Sequence, residues 1–367
     1  MARFFFVSPV AIDPWYWLDA EAGVGGNEQG VTEFAHRLVR DGHEVTVYTQ
    51  TPWSDGPREW RGTKWDYVDN ADWSQPGIWV LFRCPQLAAN LRTDPDVQPA
   101  WLVVQDFEYE WEAPYFDRID RVLMTCRTHR DIIAARYPSL EPRLFVTSNG
   151  VKVDLIEELE ASETFQRNPY KIMFASSPDR GLRTLLHILS RAREVVPSLE
   201  LHAFYGFNGI DRIAAQQKGG WPAMEQEKAL ILDLASRTKN VFMRGRVTQR
   251  ELYREWLTSG IFVACTIFRE MSYISGREAQ CCGAVPIVTP VWGAGDHVKH
   301  GVFVFGDPEE PMIRARFAGE LIRMAYDLPR QEAIRREMMV ESRKECDWNR
   351  FVNQWSAMAE EHALCTV

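Results

Sequence analysis

Short unbroken apolar runs recur along this chain, separated by helical patterns, and few folds accept that rhythm. RFFFVSP (3–9), HEVTVYT (43–49), IWVLF (78–82), WLVVQ (101–105), RVLMTC (121–126) and RLFVTS (143–148) are continuous in apolarity rather than alternating. A strand that is apolar on both faces must be covered on both faces, as in a parallel sheet between helical layers. Between the first two runs lies NEQGVTEFAHRLVRDG. There Val31, Phe34, Ala35, Leu38 and Val39 share one helical face, and Gly42 is the stop signal. These pieces make a βαβ unit, and SNG at 148–150 is a tight-turn signal.

The rhythm restarts after ETFQRNPY (163–170). KIMFASS (171–177), LELHAFYG (199–206), NVFMRG (240–245), IFVACTIF (261–268) and AVPIVT (284–289) read as strands. Residues 181–196, 248–260 and a stretch from about Ser275 read as helices. A chain of 367 residues fits two such domains. The expected division is 1–165 for a first Rossmann-like domain, 166–345 for a second, and 346–367 for a terminal helix. In that helix Trp348, Phe351, Val352 and Trp355 fall at helical spacing. Two doubly wound sheets bind ligands in a crevice at the carboxyl ends of their strands.

Composition bounds the function. The net charge of −9 argues against a nucleic-acid partner. The opening MARFFFVSPVAIDP is too short in apolar length for a secretory signal, and no run approaches the length of a membrane span. The seven cysteines form no C-x-x-C pair and read as reduced thiols of a cytoplasmic protein. A dehydrogenase fingerprint fails, because Glu28 stands at its third glycine position. Asp94 and Asp96 form Asp-x-Asp, but in the Pro-broken loop LRTDPDVQP, so no metal cluster is expected.

Chemistry concentrates in FREMSYISGREAQCCGAVPIV (268–288), where Glu270 and Glu278 stand eight positions apart. The pattern E-x7-E followed by A-x-x-x-G-x-x-P resembles the signature of retaining glycosyltransferases of the GT-B fold, family 4. Other pieces match in order: GVGGNEQGVTEFAHRLVRDGHEVTVYT, TSNGV, FASSPDRGLRTLL, FMRGRVTQRELYREW, WGAGDHVKHGVFVF and DWNRFV. The resemblance covers nearly the whole chain. It implies two Rossmann-like domains facing a central crevice, with the last helix packing back on the first domain. It also implies a nucleotide-diphosphate sugar as donor substrate, a carbohydrate or glycolipid acceptor, and no further cofactor.

On that resemblance, Glu278 accepts hydrogen bonds from the donor ribose diol and Glu270 those of the sugar hydroxyls. Ser272, Tyr273 and Ile274 lead into a helix whose N–H groups face the diphosphate. Arg180, before Gly181, stands where the family carries a diphosphate cation, and a helix-end salt bridge with Asp179 is the other reading. Ser177 occupies the usual place of a second arginine, which leaves Arg244 or Arg246 as substitutes. Gly25 and Gly26 allow close approach of a phosphate or acceptor.

Two departures stand out. Tyr273 replaces a small residue and is expected to crowd the sugar pocket. Gln105 or Asp106 replaces the family's histidine after the fourth strand. A phage-type DNA-modifying transferase, a GT-B epimerase or phosphorylase, and a non-catalytic binding protein share the same frame. The arginines between 314 and 344 alternate with acids and read as a solvated face.

The acceptor is the least defined part. Nine of the fourteen tryptophans fall within the first 111 residues, which points the search there. Trp15, Trp17, Asp106, Tyr109 and Trp111 are the acceptor candidates, with ordinary aromatic packing as the equal alternative.

Overall fold

The computed structural model describes residues 1–9, 15, 25–50, 58–91, 96–217 and 220–365. The chain divides into two compact units, Met1–Gly150 with Asp347–Val367, and Val151–Cys346. The first boundary lies earlier than the expected division after residue 165. Helix Val153–Ser162 falls before the rise in polarity, but its Val153, Ile156 and Leu159 are buried with Tyr253, Trp256 and Phe262 of the second unit. No helix among the described residues is long and apolar enough to cross a membrane.

Among the described residues the first unit is built on eight strands: β1 Arg3–Ser8, β2 Glu44–Thr49, β3 Arg58–Trp60, β4 Thr63–Tyr67, β5 Ile78–Phe82, β6 Ala100–Val104, β7 Arg121–Met124 and β8 Leu144–Val146. Their order is β3-β4-β2-β1-β5-β6-β7-β8, parallel except for β3 against β4. The apolar continuity of β1 has a direct cause. Phe4 and Phe6 enter a core with Phe34 and Trp355, while Phe5 and Val7 enter another with Trp79 and Leu102. The β3–β4 hairpin escaped the sequence reading. Its turn is Arg61-Gly62, with φ of 51° and 76°, the mirror-image turn that suits strand twist, without the usual Asn-Gly.

Helix Trp348–Cys365 packs on the first unit. The Trp355 ring stacks on Phe34 at 3.8 Å, and its Nε1 donates to Thr147 Oγ1 at 3.0 Å. Arg37 donates to Glu33 at 3.0 Å and to Asn349 at 2.9 Å, which ties helix Gly26–Arg40 to the terminal one. Gly150 permits the crossing, since a Cβ there would lie 2.6 Å from the Trp348 backbone.

The second unit carries β9 Asn168–Phe174, β10 Glu200–Phe204, β11 Val241–Gly245, β12 Ser259–Ala264, β13 Val285–Val288 and β14 Val302–Phe303. All are parallel, in the order β11-β10-β9-β12-β13-β14. The winding reverses between β9 and β12. That is the switch point of a doubly wound sheet, where such sheets bind ligands at the carboxyl ends of their strands.

Candidate functional site

The loops after β9 and β12 are forced together at that switch point. Gly181 has φ of +98°, and a Cβ there would run into the Cys265 carbonyl and sit 3.3 Å from Thr266 Cβ. Only glycine lets the two loops touch in this way. Gly181 caps helix Leu182–Arg193, whose inward face is Leu182, Leu185, Leu186 and Leu189.

The consequence is an ion pair between Arg180 and Glu270. Both are part-exposed, at 25% and 31% of their side-chain surface. The Arg180 guanidinium also lies over the Phe268 ring, 3.4 Å from its centroid, and 3.5 Å from Asp179. Ser176, Thr266 and Tyr273 line the same small pocket. Ser177 anchors the turn beneath, its carbonyl accepting from the Arg180 N–H at 2.9 Å.

Helix Ile274–Cys282 follows at once. Its N-cap residue, Tyr273, makes no side-chain cap hydrogen bond, and Ser272, Tyr273 and Ile274 lead the chain into the first turn. Tyr273, expected to crowd the sugar pocket, is 5% exposed and lines the small pocket beside Arg180 and Glu270. Its ring lies over Gly276, where a Cβ would approach to 2.5 Å, and 6.2 Å from Phe262.

One turn further, Glu278 is buried and accepts from Gln249 Nε2 at 2.6 Å. Burial pushes its carboxyl up to about 7, against the opposing pull of Gln249, Trp256, Lys152 and Tyr253. Gln249 is placed by a capping box. Thr248 accepts from the Glu251 N–H, and the Glu251 carboxylate accepts from the Thr248 N–H.

Three arginines hold the other end of this helix. Arg343 Nε donates to Cys281 O at 2.9 Å, Arg167 Nη2 to Cys282 O at 2.8 Å, and Arg335 Nε to Gly283 O at 2.9 Å. Cations belong at a helix C-terminus, where carbonyls lack partners and the dipole is negative. Arg335 and Arg343 are only 12% and 19% exposed, so these two leave the solvated face expected for residues 314–344. Arg343 also meets Glu160 at 2.7 Å. Burial lowers Arg167 to about 10.

The remaining candidates fall elsewhere. Arg244 is turned to His202, 3.4 Å away, and to the Phe242 ring. Arg246 lies over Tyr205. In the first unit, Gly26 opens helix Gly26–Arg40 behind an uncapped Gly25. Asp106 accepts twice from Arg83, at 2.5 and 3.1 Å, and Arg83 holds a left-handed φ of 62°. Sequence reasoning missed Arg83. Tyr109 packs 5.4 Å from Trp111, and burial raises its phenol above the ordinary range. Trp111 and Trp15 are 5% and 2% exposed. Trp111 packs on Phe116 and Trp15 edge-on to Trp65. Trp17 and Asp94 lie outside the described residues.

No protein-family model and no curated protein sequence matches the chain. Solved structures do. Sucrose-phosphate synthase from Thermosynechococcus elongatus is 13% identical, with 99% of this chain and 100% of that one covered and a TM-score of 0.73. The UDP-forming α,α-trehalose-phosphate synthase from Burkholderia vietnamiensis is 11% identical, with 99% and 98% covered and a TM-score of 0.70. A trehalose-6-phosphate synthase studied for glycosyl transfer with retention is 10% identical, with 98% and 99% covered and a TM-score of 0.69. The likeness spans whole chains and shows the fold: this protein has the GT-B architecture of these glycosyltransferases.

Proposed function

We propose that the protein is a retaining glycosyltransferase that moves a sugar from a nucleotide-diphosphate donor to a carbohydrate or glycolipid acceptor. The Arg180–Glu270 pair at the switch point carries this reading. A donor diphosphate replaces Glu270 as the counterion of Arg180. The freed carboxylate then accepts from sugar hydroxyls, and buried Glu278 accepts from the ribose diol. Backbone N–H groups at Ser272 to Ile274 meet the phosphate oxygens.

The acceptor hydroxyl attacks on the face from which the diphosphate leaves. The C–O bond to the phosphate breaks as the new glycosidic bond forms, and the departing phosphate oxygen takes the acceptor's proton. Charge on that phosphate grows in the transition state, where Arg180 and the helix N-terminus stabilise it without a metal.

The test is a melting-temperature panel of UDP, GDP, ADP and TDP sugars, followed by turnover with EDTA present. UDP sugars come first, because a structural neighbour is UDP-forming. A donor that binds the native state raises the melting temperature. No shift with any donor, loss of turnover to EDTA, or an inverted anomeric product each contradicts the proposal.

A further inference from the structure

The segment VWGAGDH (291–297) holds a strained tryptophan beside the candidate catalytic loop. Trp292 has φ of 51° and ψ of −133°, a conformation that suits glycine and crowds a residue with a β-carbon. The turn is clamped onto the Glu270 backbone. The Gly293 N–H donates to Glu270 O at 2.9 Å, and a Cβ at Gly293 would lie 2.5 Å from the Glu270 and Met271 carbonyls. Trp292 is therefore the residue next to the clamp on the Glu270 backbone. Its indole is half-buried, with the exposed Arg269 guanidinium 5.4 Å from the ring centroid. A glycine would make this turn with less strain, so the turn by itself gives no reason for an indole. Strain of this kind persists where surrounding structure imposes it, and it gathers at ligand sites.

We propose that Trp292 is a specificity-determining residue whose indole stacks on the sugar ring of a nucleotide sugar held at Glu270. The proposal rests on the donor reading above and adds the residue that tells a sugar-bearing donor from the bare nucleotide. An aromatic face suits the C–H face of a pyranose, while the diphosphate and ribose are held by other groups. Trp292 then acts on the sugar increment of binding alone.

Calorimetric titration of UDP, UDP-glucose, UDP-N-acetylglucosamine, GDP and GDP-mannose into wild-type, Trp292→Gly and Trp292→Phe protein tests this. Trp292→Gly is expected to bind the bare nucleoside diphosphate within about twofold of wild type. Its affinity for the matching sugar nucleotide falls about five- to tenfold, and Trp292→Phe recovers most of that loss. The melting temperature of Trp292→Gly stays level or rises, because relief of the strained turn offsets the packing lost. Equal sugar-nucleotide affinity in wild type and Trp292→Gly overturns the proposal. So does a lower melting temperature with loss of both ligands, which makes Trp292 a packing residue. If wild-type protein binds none of these nucleotides, the donor reading itself fails, and this proposal with it.

Discussion

After β5 in the first unit Arg83 grips Asp106, and after β9 in the second Arg180 grips Glu270. The two pairs look alike but are built differently. Arg83 reaches its partner by its own left-handed backbone, and Asp106 is nearly half exposed. Arg180 is held by Phe268 and by a turn that Gly181 presses against the β12 loop. The surroundings differ as well. Trp65, Trp79 and Trp101 fill the first sheet's faces, whereas one face of the second is a sheath of Leu, Ile and Val. The rings on the first sheet's faces are packing. The candidate site of the second unit lies where two loops are compelled to meet.

The largest effect should come from the aromatic side of that contrast. Trp355→Ala removes a ring stacked on Phe34 and a hydrogen bond to Thr147, at about 3–5 kcal/mol. Chemical denaturation followed by a probe in each unit should show only the first unit weakened. A matching loss in the second would show that the units do not stand apart energetically.

Next is Arg180→Ala. Loss of one electrostatic group aimed at a developing charge lowers kcat about 10²–10³-fold, with partial recovery in Arg180→Lys. Steady-state kinetics on the preferred donor decides. A near-native kcat would remove Arg180 from the leaving-group role.

Glu278 gives a pH signature. Its carboxyl titrates near 7 in the folded protein against 4.5 ordinarily, so the folded state holds the proton longer. Stability of the ligand-free protein therefore declines as pH climbs from about 4.5 through 7, and the loss is complete above that window. Glu278→Gln removes this slope, and its advantage over wild type grows across the window to roughly 3 kcal/mol at most. Denaturation midpoints of both proteins at about pH 5 and about pH 8 test it. A constant difference would mean that Glu278 is not desolvated.

The smallest effect is at Arg83. Its pair is part-exposed, so Arg83→Ala should change the first unit's stability by less than about 1 kcal/mol. A large loss in the same denaturation assay would make this pair the stronger of the two.

Periodicity made most of both sheets legible. Ile78–Phe82 falls where its apolar run stands, and Glu44–Thr49 and Val285–Val288 lie within theirs. Local signals that depend on unusual residues were missed. The hairpin turns on Arg-Gly, and helix Pro222–Arg237 is largely exposed, with Ile231 its one fully buried side chain. The pairing of Arg180 with Glu270 was not legible, because ninety residues separate them and only the strand order joins them. Nor were the arginines at Cys281 to Gly283, since sequence shows their charge but not which carbonyls they reach.

Those three arginines have a consequence for how variants of this protein will be interpreted. Helix Ile274–Cys282 has nine residues, so it spans about 13 Å between its two ends. Arg167, Arg335 and Arg343 act on it as fixed bolts act on a lever. Loosening one lets the far tip, at Ser272 to Ile274, wander relative to Glu270. On the proposed donor reading, a substitution at Arg167 would therefore register in donor kinetics as though a ligand contact had been cut, from the opposite end of the helix.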